Sequence, residues 1–376
     1  MDLLENYRSE IDNIDKEMTL LFENRMNLSK KISDYKKNNN MQIYQSEREE
    51  LVIAKNISYL KNKEYESFLR SYYMNLMNLS RLIQSKEINS DYDSEKVIKY
   101  PKENLKVGYQ GVIGSFSEEA MHKHFSSIKN TKNYETFEEL FIALKNEEID
   151  YAIAPIENSS TGGISKVYDL LKIYDFYIVG EECIKINQHL IGVKGATIND
   201  IQEVYSHPQG FEQSAESLKR YENIKLIPYL NTAISAKLVS DLNDKTKAAI
   251  ASERAAKIYN LDIIDSNIND NKDNYTKFVI IGRNFEVGNA CDKSSIIFST
   301  EHESGELYRL LKYFADYNIN LTKIESRPNK HIPWQYLFYV DFEGSIKEEK
   351  IKRAIANIEN ESKYFKFLGS YKKGNI

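Results

Sequence analysis

Two groups of polar side chains in this sequence stand where they could do chemistry. The first is "DNYTKF", residues 273–278, which runs straight into the apolar stretch "VIIG". Asn274, Thr276 and Lys277 bring an amide, a hydroxyl and an ammonium to the mouth of an expected strand, with no nearby glycine, histidine or cysteine to suggest a phosphate loop, a base or a metal ligand. The second group is spread over the first ninety residues. Arg25 occupies a place in an apolar stripe, between Leu21 and Leu28, and Lys36 follows three turns later on nearly the same face. Arg48 and Glu49 open a second periodic stretch, and Ser80 and Gln84 are i,i+4 neighbours beside a third. Taken alone, Arg25 reads as a register-setting or snorkelling residue, because a buried charge is costly unless paired. Residues 1–90 hold fourteen Lys and Arg against fourteen Asp and Glu, so cations concentrated inside a neutral segment point to a small polyanionic ligand.

The elements that must hold these residues fall into three segments. Residues 3–86 read as helix with two breaks. Ile11, Ile14, Met18, Leu21, Leu28 and Ile32 form a 3,4-spaced stripe expected to be buried. "KKNNN" at 36–40 reads as a turn, and a second helical stretch covers about 45–61. A third carries Tyr65, Leu69, Tyr72, Leu76, Leu79 and Ile83. Residues 91–104, polar and charged with Pro101, read as a linker between an all-α unit at 1–90 and an α/β unit at 105–284. In that second unit short apolar runs such as "LKVGY", "YAIAPI", "HLIGV", "AAIAS" and "FVIIG" alternate with helical stretches. Residues 292–376 read strand, helix, strand, strand, helix, strand, the ferredoxin-like α+β order.

Composition narrows the class. At 376 residues, with 41% apolar and 28% charged, the chain is an ordinary core-forming protein of two or three domains. A net charge of −5 with no long basic run argues against nucleic acid as a partner. No apolar run approaches the ~20 residues of a membrane span, and the polar start from Asp2 does not read as a signal peptide. Cys183 and Cys291 are lone and far apart, which fits a reducing cytoplasm. His122 and His124 are two apart on an expected helix, without the i,i+4 spacing of a metal pair, so no metal site is expected.

The first segment resembles the all-helical chorismate mutase domain, through "YRSEIDNIDKEMTLLFENR", "KKISDYK", "SERE" and "SRLIQ". The resemblance implies that Arg8, Arg25, Lys36, Arg48, Glu49, Ser80 and Gln84 contact substrate in a cofactor-free rearrangement of chorismate to prephenate. Arg25 and Arg48 suit carboxylates, Lys36 and Gln84 the ether oxygen, and Glu49 the ring hydroxyl. Gln45 stands where the family usually has aspartate. Arg8 and Arg25 are seventeen residues apart on one apparent helix, about 26 Å at the standard rise. If both grip one small substrate, Arg8 comes from a second chain, so a homodimer or larger homo-oligomer is expected.

In the second segment "GYQGVIGSFS" (108–117), "PIENSSTGG" (155–163), "SHPQG" (206–210) and "NTAISAK" (231–237) could each be simple turns and caps. The glycines of the first are spaced G-x-x-G-x-x-G, not as a dinucleotide fingerprint. Together with "DNYTKF", in this order, they resemble the prephenate dehydratase domain, which implies a two-lobed α/β fold like that of periplasmic ligand-binding proteins with the site between the lobes. By that resemblance Thr276 is the catalytic donor to the departing ring hydroxyl. Glu157, Asn158, Ser159, Thr161, Ser206, Asn231, Thr232, Asn274, Lys277 and Phe278 line the prephenate site. Lys277 replaces the usual arginine and so loses bidentate carboxylate recognition.

"LTKIESRP" (321–328) and "WQYLFYVDFEG" resemble the phenylalanine-binding ACT domain, which implies effector contacts at Gly305, Leu307, Glu325 and Ser326. Glu306 stands where the family carries a small residue, and its side chain is expected to point to solvent. The whole chain therefore resembles the bifunctional chorismate mutase/prephenate dehydratases. Two alternatives remain at this point: a chorismate mutase–prephenate dehydrogenase, and a non-catalytic sensor of aromatic metabolites.

Overall fold

The computed structural model describes residues 3–39, 41, 46–85, 104–221, 223–329 and 332–375. Gln45, most of the 91–104 stretch and the side chain of Gln84 lie outside them. Three helices make the first unit: α1 (Leu3–Asn38), α2 (Ser46–Ser58) and, after a short 3₁₀ turn capped by Asn62, α3 (Glu66–Ser85). The turn expected at 36–40 begins only at Asn39, because Lys36 and Lys37 close the helix, where cations favour its dipole.

The stripe on α1 departs from expectation. Ile11, Leu21 and Leu28 are 55%, 67% and 58% exposed, and the residues α1 buries are Met26, Ser29 and Ser33. The reason is length. A helix of 36 residues runs about 54 Å, and the 20 residues of α3 reach about 30 Å, so one chain cannot cover it.

The middle unit has two lobes. The first runs through β1 (Lys106–Gln110), α4 (Phe116–His124), β2 (Asn130–Tyr134), α5 (Phe137–Lys145), β3 (Tyr151–Asn158), β4 (Gly162–Gly163), α6 (Ser165–Ile173) and β5 (Tyr177–Lys185). The second holds β6 (His189–Gly192), β7 (Glu203–Ser206), α7 (Pro208–Glu212), α8 (Ala215–Leu218), β8 (Lys225–Pro228), α9 (Thr232–Leu242), β9 (Lys247–Ala251), α10 (Glu253–Ile258) and β10 (Asp262–Asp265). Then β11 (Tyr275–Gly282) returns to the first lobe and inserts between β3 and β5. The sheets are ordered β2-β1-β3-β11-β5, with β4 beside β3, and β10-β6-β9-β7-β8. The edge strands β2, "NTKNY", and β10, "DIID", escape the apolar-run reading because exposed edges need few apolar residues. Thr276 lies inside β11 rather than at its mouth.

The last unit is β12 (Lys293–Ser299), α11 (Glu306–Asp316), β13 (Leu321–Pro328), β14 (Tyr336–Glu343), α12 (Glu349–Glu361) and β15 (Tyr364–Tyr371), in the antiparallel order β13-β14-β12-β15. Strand alternation splits its apolar residues between two cores. Phe298, Val340 and Phe342 pack with α11 and α12. Ile297, Leu337, Tyr339 and Leu368 join Tyr168, Leu171 and Ile178 of the first lobe. That second contact is close enough to exclude a side chain at Gly369, whose Cβ would stand 2.0 Å from the Ile178 carbonyl oxygen. Buried Lys293 crosses the same interface, 2.5 Å from Glu181 and 2.8 Å from Asp341. The end of α3 meets the last unit too, through Asn78 to Asp316 at 2.6 Å and Arg81 to Glu361 at 2.9 Å. Among the described residues no helix is long and apolar enough to cross a membrane.

Candidate active sites

On the helical unit, half-buried Arg25 donates to the Ser80 hydroxyl and, at 3.4 Å, to the Leu76 carbonyl of α3. Ser80 in turn donates to Leu76 O at 2.9 Å, so its orientation is fixed from both sides. Burial pulls the Arg25 pKa down, and Tyr73, Tyr72 and Glu49 oppose it. Lys36 is likewise lowered by burial and supported by Glu49. Arg25, Lys36, Glu49 and Ser80 thus form one polar cluster. Arg48 is exposed on α2 beside it, and Arg8 is exposed near the far end of α1, outside this cluster by the helix geometry. Arg81, which sequence reasoning passed over, reaches both Glu49 carboxylate oxygens from Nη1, at 2.6 and 2.5 Å. A cation following Ser80 on the third helix was the available signal.

Between the lobes of the middle unit lies a cleft of about 640 Å³. Asn158, Thr161, Asn231, Thr232, Thr276 and Phe278 all line it. Its centre is a hydrogen-bond cluster. Asn158 Nδ2 donates to Thr276 Oγ1 at 2.9 Å and to Asn274 Oδ1 at 2.8 Å. The Asn158 carbonyl accepts from the backbone N–H groups of Ser160 and Thr161, at 2.9 and 3.1 Å. Two backbone donors on that oxygen fix which end of the amide faces Thr276. With a lone pair of Oγ1 engaged, the Thr276 hydroxyl is set to donate.

Helix starts surround the cleft. Ser115 caps α4, accepting from Glu118 N, and Asn231 caps α9, accepting from Ile234 N at 2.7 Å. Among the described lining residues there is no lysine or arginine. Anion binding therefore falls to backbone N–H groups at helix N-termini. Gln110, Gln188, Gln209 and His207 also line the cleft; none was named as a site residue, although His207 and Gln209 lie within "SHPQG", since polar residues after strands look like ordinary turn formers. Gln209 Nε2 bridges the lobes to Thr161 Oγ1 at 3.2 Å.

The other expected substrate residues stand elsewhere. Lys277 and Glu157 do not line the cleft: they pair at 3.0 Å on the opposite face of the sheet. The cause is the two-residue period of a strand, which turns Lys277 away wherever Thr276 and Phe278 face inward. Ser159 accepts from Tyr275 N at 2.9 Å outside the cleft, and fully buried Ser206 donates to Ile250 O at 3.2 Å. Asn274 is buried behind Asn158 and reaches only a smaller adjoining pocket.

In the last unit Gly305 caps α11 at φ +87°, and Leu307 is partly buried against the core. Alternation along β13 sends Lys323, Glu325 and Arg327 toward the first lobe and Ser326 to the other face, so one face does not present both Glu325 and Ser326. Lys323 lies 3.1 Å from Glu157, and Glu325 sits against Gly163. Glu306, expected to face solvent, instead pairs with Arg309 at 2.5 Å.

Comparison with known proteins adds a second line of observation. A family model described as prephenate dehydratase matches residues 107–286, and one described as chorismate mutase type II matches residues 7–85. The chain is 33% identical to the bifunctional chorismate mutase/prephenate dehydratase of Aquifex aeolicus, over 99% of both chains. It is 31% identical to the enzyme of that name from Buchnera aphidicola, over 98% of this chain and 96% of the relative. Among solved structures it resembles prephenate dehydratase from Arthrobacter aurescens in complex with L-Phe, with a TM-score of 0.65 and 25% identity, covering 72% of this chain and 90% of that one.

Proposed function

This chain belongs to the family of bifunctional chorismate mutase/prephenate dehydratases, and from that premise we propose how its residues divide the work. It is an enzyme of phenylalanine biosynthesis that rearranges chorismate to prephenate and then converts prephenate to phenylpyruvate, CO2 and water. The domains are 1–90 for the mutase, 105–284 for the dehydratase and 292–376 for an ACT-type regulatory domain, and the enzyme works in the cytoplasm.

In the mutase site Arg25 and Arg48 hold carboxylates, Lys36 and Gln84 serve the ether oxygen, and Glu49 takes the ring hydroxyl, with Ser80 orienting Arg25. The gain comes from fixing a compact conformer and aiming donors at the oxygen whose bond breaks. Arg8 is supplied by a second copy of the chain. The exposed Ile11, Ile14, Leu21 and Leu28 of α1 support that dimer, because such a stripe is left unburied in one chain.

In the dehydratase site Thr276 donates to the departing ring hydroxyl while CO2 leaves from the same ring, and aromatisation drives the step. Thr276 acts by a positioned hydrogen bond, since a threonine hydroxyl is too weak an acid to ionise. The observation that carries this reading is the 2.9 Å Asn158–Thr276 hydrogen bond, which fills an acceptor site on Oγ1 and leaves the O–H for substrate. The substrate's carboxylates take the N–H groups at the starts of α4 and α9. Phenylalanine binds the last domain near Gly305, Leu307, Glu325 and Ser326 and inhibits the dehydratase.

The test is to incubate the purified protein with chorismate alone and follow prephenate and phenylpyruvate. Phenylpyruvate without added nicotinamide cofactor is the expected product. Accumulation of prephenate with none formed would exclude the dehydratase half.

A further inference from the structure

Glu49 is the acidic group of the mutase cluster, and its carboxylate is not free to choose its orientation. Arg81 Nη1 sits between its two oxygens. Arg81 is itself held from the other side. Its Nε lies 2.9 Å from Glu361 at the end of α12 and 3.4 Å from the Tyr313 hydroxyl on α11. Glu361 is pinned in turn by Arg309 and Tyr313, each at 2.5 Å. One turn earlier on α3, Asn78 accepts from Arg81 Nη2 at 3.3 Å and donates to Asp316 at 2.6 Å. A continuous set of charged contacts therefore runs from the C-terminal domain to a carboxylate in the helical cluster.

Exposure separates the roles. The Arg81 side chain is 6% exposed and that of Glu49 is 22%. A substrate can reach Glu49, whereas Arg81 is closed off behind it. A guanidinium held by Glu49, Glu361 and Asn78 is a rigid support.

We propose that Arg81 is a positioning residue for the rearrangement: it sets the Glu49 carboxylate and takes its own position from Glu361 and Tyr313, so the mutase depends on docking of the helical domain onto the C-terminal domain. This rests on reading Glu49 as part of the mutase site. The alternative is that Arg81 only neutralises a buried Glu361, which would be costly to leave unpaired.

Full-length variants distinguish these, with dehydratase activity on supplied prephenate as the measure of an intact fold. Arg81→Met is expected to lower mutase kcat/KM by about tenfold to a hundredfold, the scale of a misplaced catalytic group, while dehydratase stays within about twofold. Arg81→Lys, which keeps the charge without the planar fork, should recover part of the loss. The double variant Arg81→Met/Glu361→Leu removes both buried charges and should regain melting temperature but not mutase rate. Wild-type mutase rate in that double variant would overturn the proposal, since it would mean that Arg81 merely balances Glu361. If Arg81→Met does not fold, Glu361→Gln carries the test: it keeps the shape and the Tyr313 contact, and an unchanged mutase rate would overturn the dependence on docking. Glu49→Gln checks the premise separately. A normal rate there would remove Glu49 from the mutase site, a different failure from a normal rate in Arg81→Met with Glu49→Gln impaired.

Discussion

The Asn158 side-chain nitrogen stands 2.9 Å from the Thr276 hydroxyl oxygen, across the register pair that joins β3 to β11. Thr276→Ala should lower prephenate turnover by about a hundredfold or more, the usual scale for removing one positioned hydrogen-bond donor to developing charge, and leave chorismate consumption unchanged. Thr276→Ser keeps the hydroxyl and should retain most of the rate. Asn158→Ala should lower kcat with Thr276 intact. Separate assays on chorismate and on prephenate check this, and loss of both activities in a well-folded Thr276→Ala would contradict the division of sites.

On the other face of the same strands Glu157 pairs with Lys277, and Lys323 of β13 closes on the same carboxylate. Burial alone would raise the Glu157 pKa, but Lys323 and Lys277 outweigh it and hold the carboxyl below its usual range. This bridge joins the strand carrying Glu325 and Ser326 to the back of the strand carrying Thr276. Lys323→Met should leave uninhibited dehydratase turnover within about threefold and weaken phenylalanine inhibition by about tenfold, within the range of allosteric coupling energies. An inhibition curve identical to wild type would take Lys323 off the route.

The exposed stripe of α1 and the distance between Arg8 and Arg25 lead to a complementation experiment. Arg8→Ala and Arg25→Ala proteins should each lack mutase activity. Mixed under conditions of proven subunit exchange, they should recover some of it, because heterodimers with one intact site form. No recovery would mean that Arg8 and Arg25 do not meet across a dimer.

Glu306 is paired along its own helix with Arg309, which also holds Glu361 and partly offsets the Glu306 charge near the expected effector loop. Phenylalanine should therefore bind wild type, and Glu306→Ala should bind it within about threefold, since an i,i+3 pair along a helix is worth only a few tenths of a kcal/mol. Calorimetry on both proteins checks this. Binding gained only in the variant would show that the carboxylate repels the ligand.

Lys366 on β15 donates to the carbonyls of Leu171 and Tyr174 at 2.8 and 2.5 Å, closing the end of α6. Burial lowers its pKa to about 8, with Asp175 opposing. The unfolded value is about 10.4, so between these two values the unfolded state binds more protons and stability rises with pH. The cost of the buried charge is fully present below about pH 8 and is relieved toward about pH 10. Lys366→Met should therefore be most stable relative to wild type near neutral pH, with the difference shrinking as pH rises. Urea midpoints for both proteins at pH 7 and 9.5 measure it, and a difference that grows with pH would refute the sign.

Local pattern carried much of this protein. The 3,4 periodicity placed the helices, apolar runs placed the inner strands, and the order of elements in residues 292–376 already spelled βαββαβ. The motifs around Asn158 and Asn231 were legible because one ends a strand and the other starts a helix, where short polar side chains have a local job, and that around Thr276 because its polar run leads into an apolar strand. Even the turning away of Lys277 follows from strand alternation. What lies behind a face is not local. Whether Lys277 meets solvent or Glu157 and Lys323, and whether Arg81 joins Glu49 to Glu361, depend on docking between segments far apart in the chain. Periodicity fixes which way a side chain points, because it is set by the backbone within one element. Its partner is set by the packing of whole domains, and that only the tertiary structure decided.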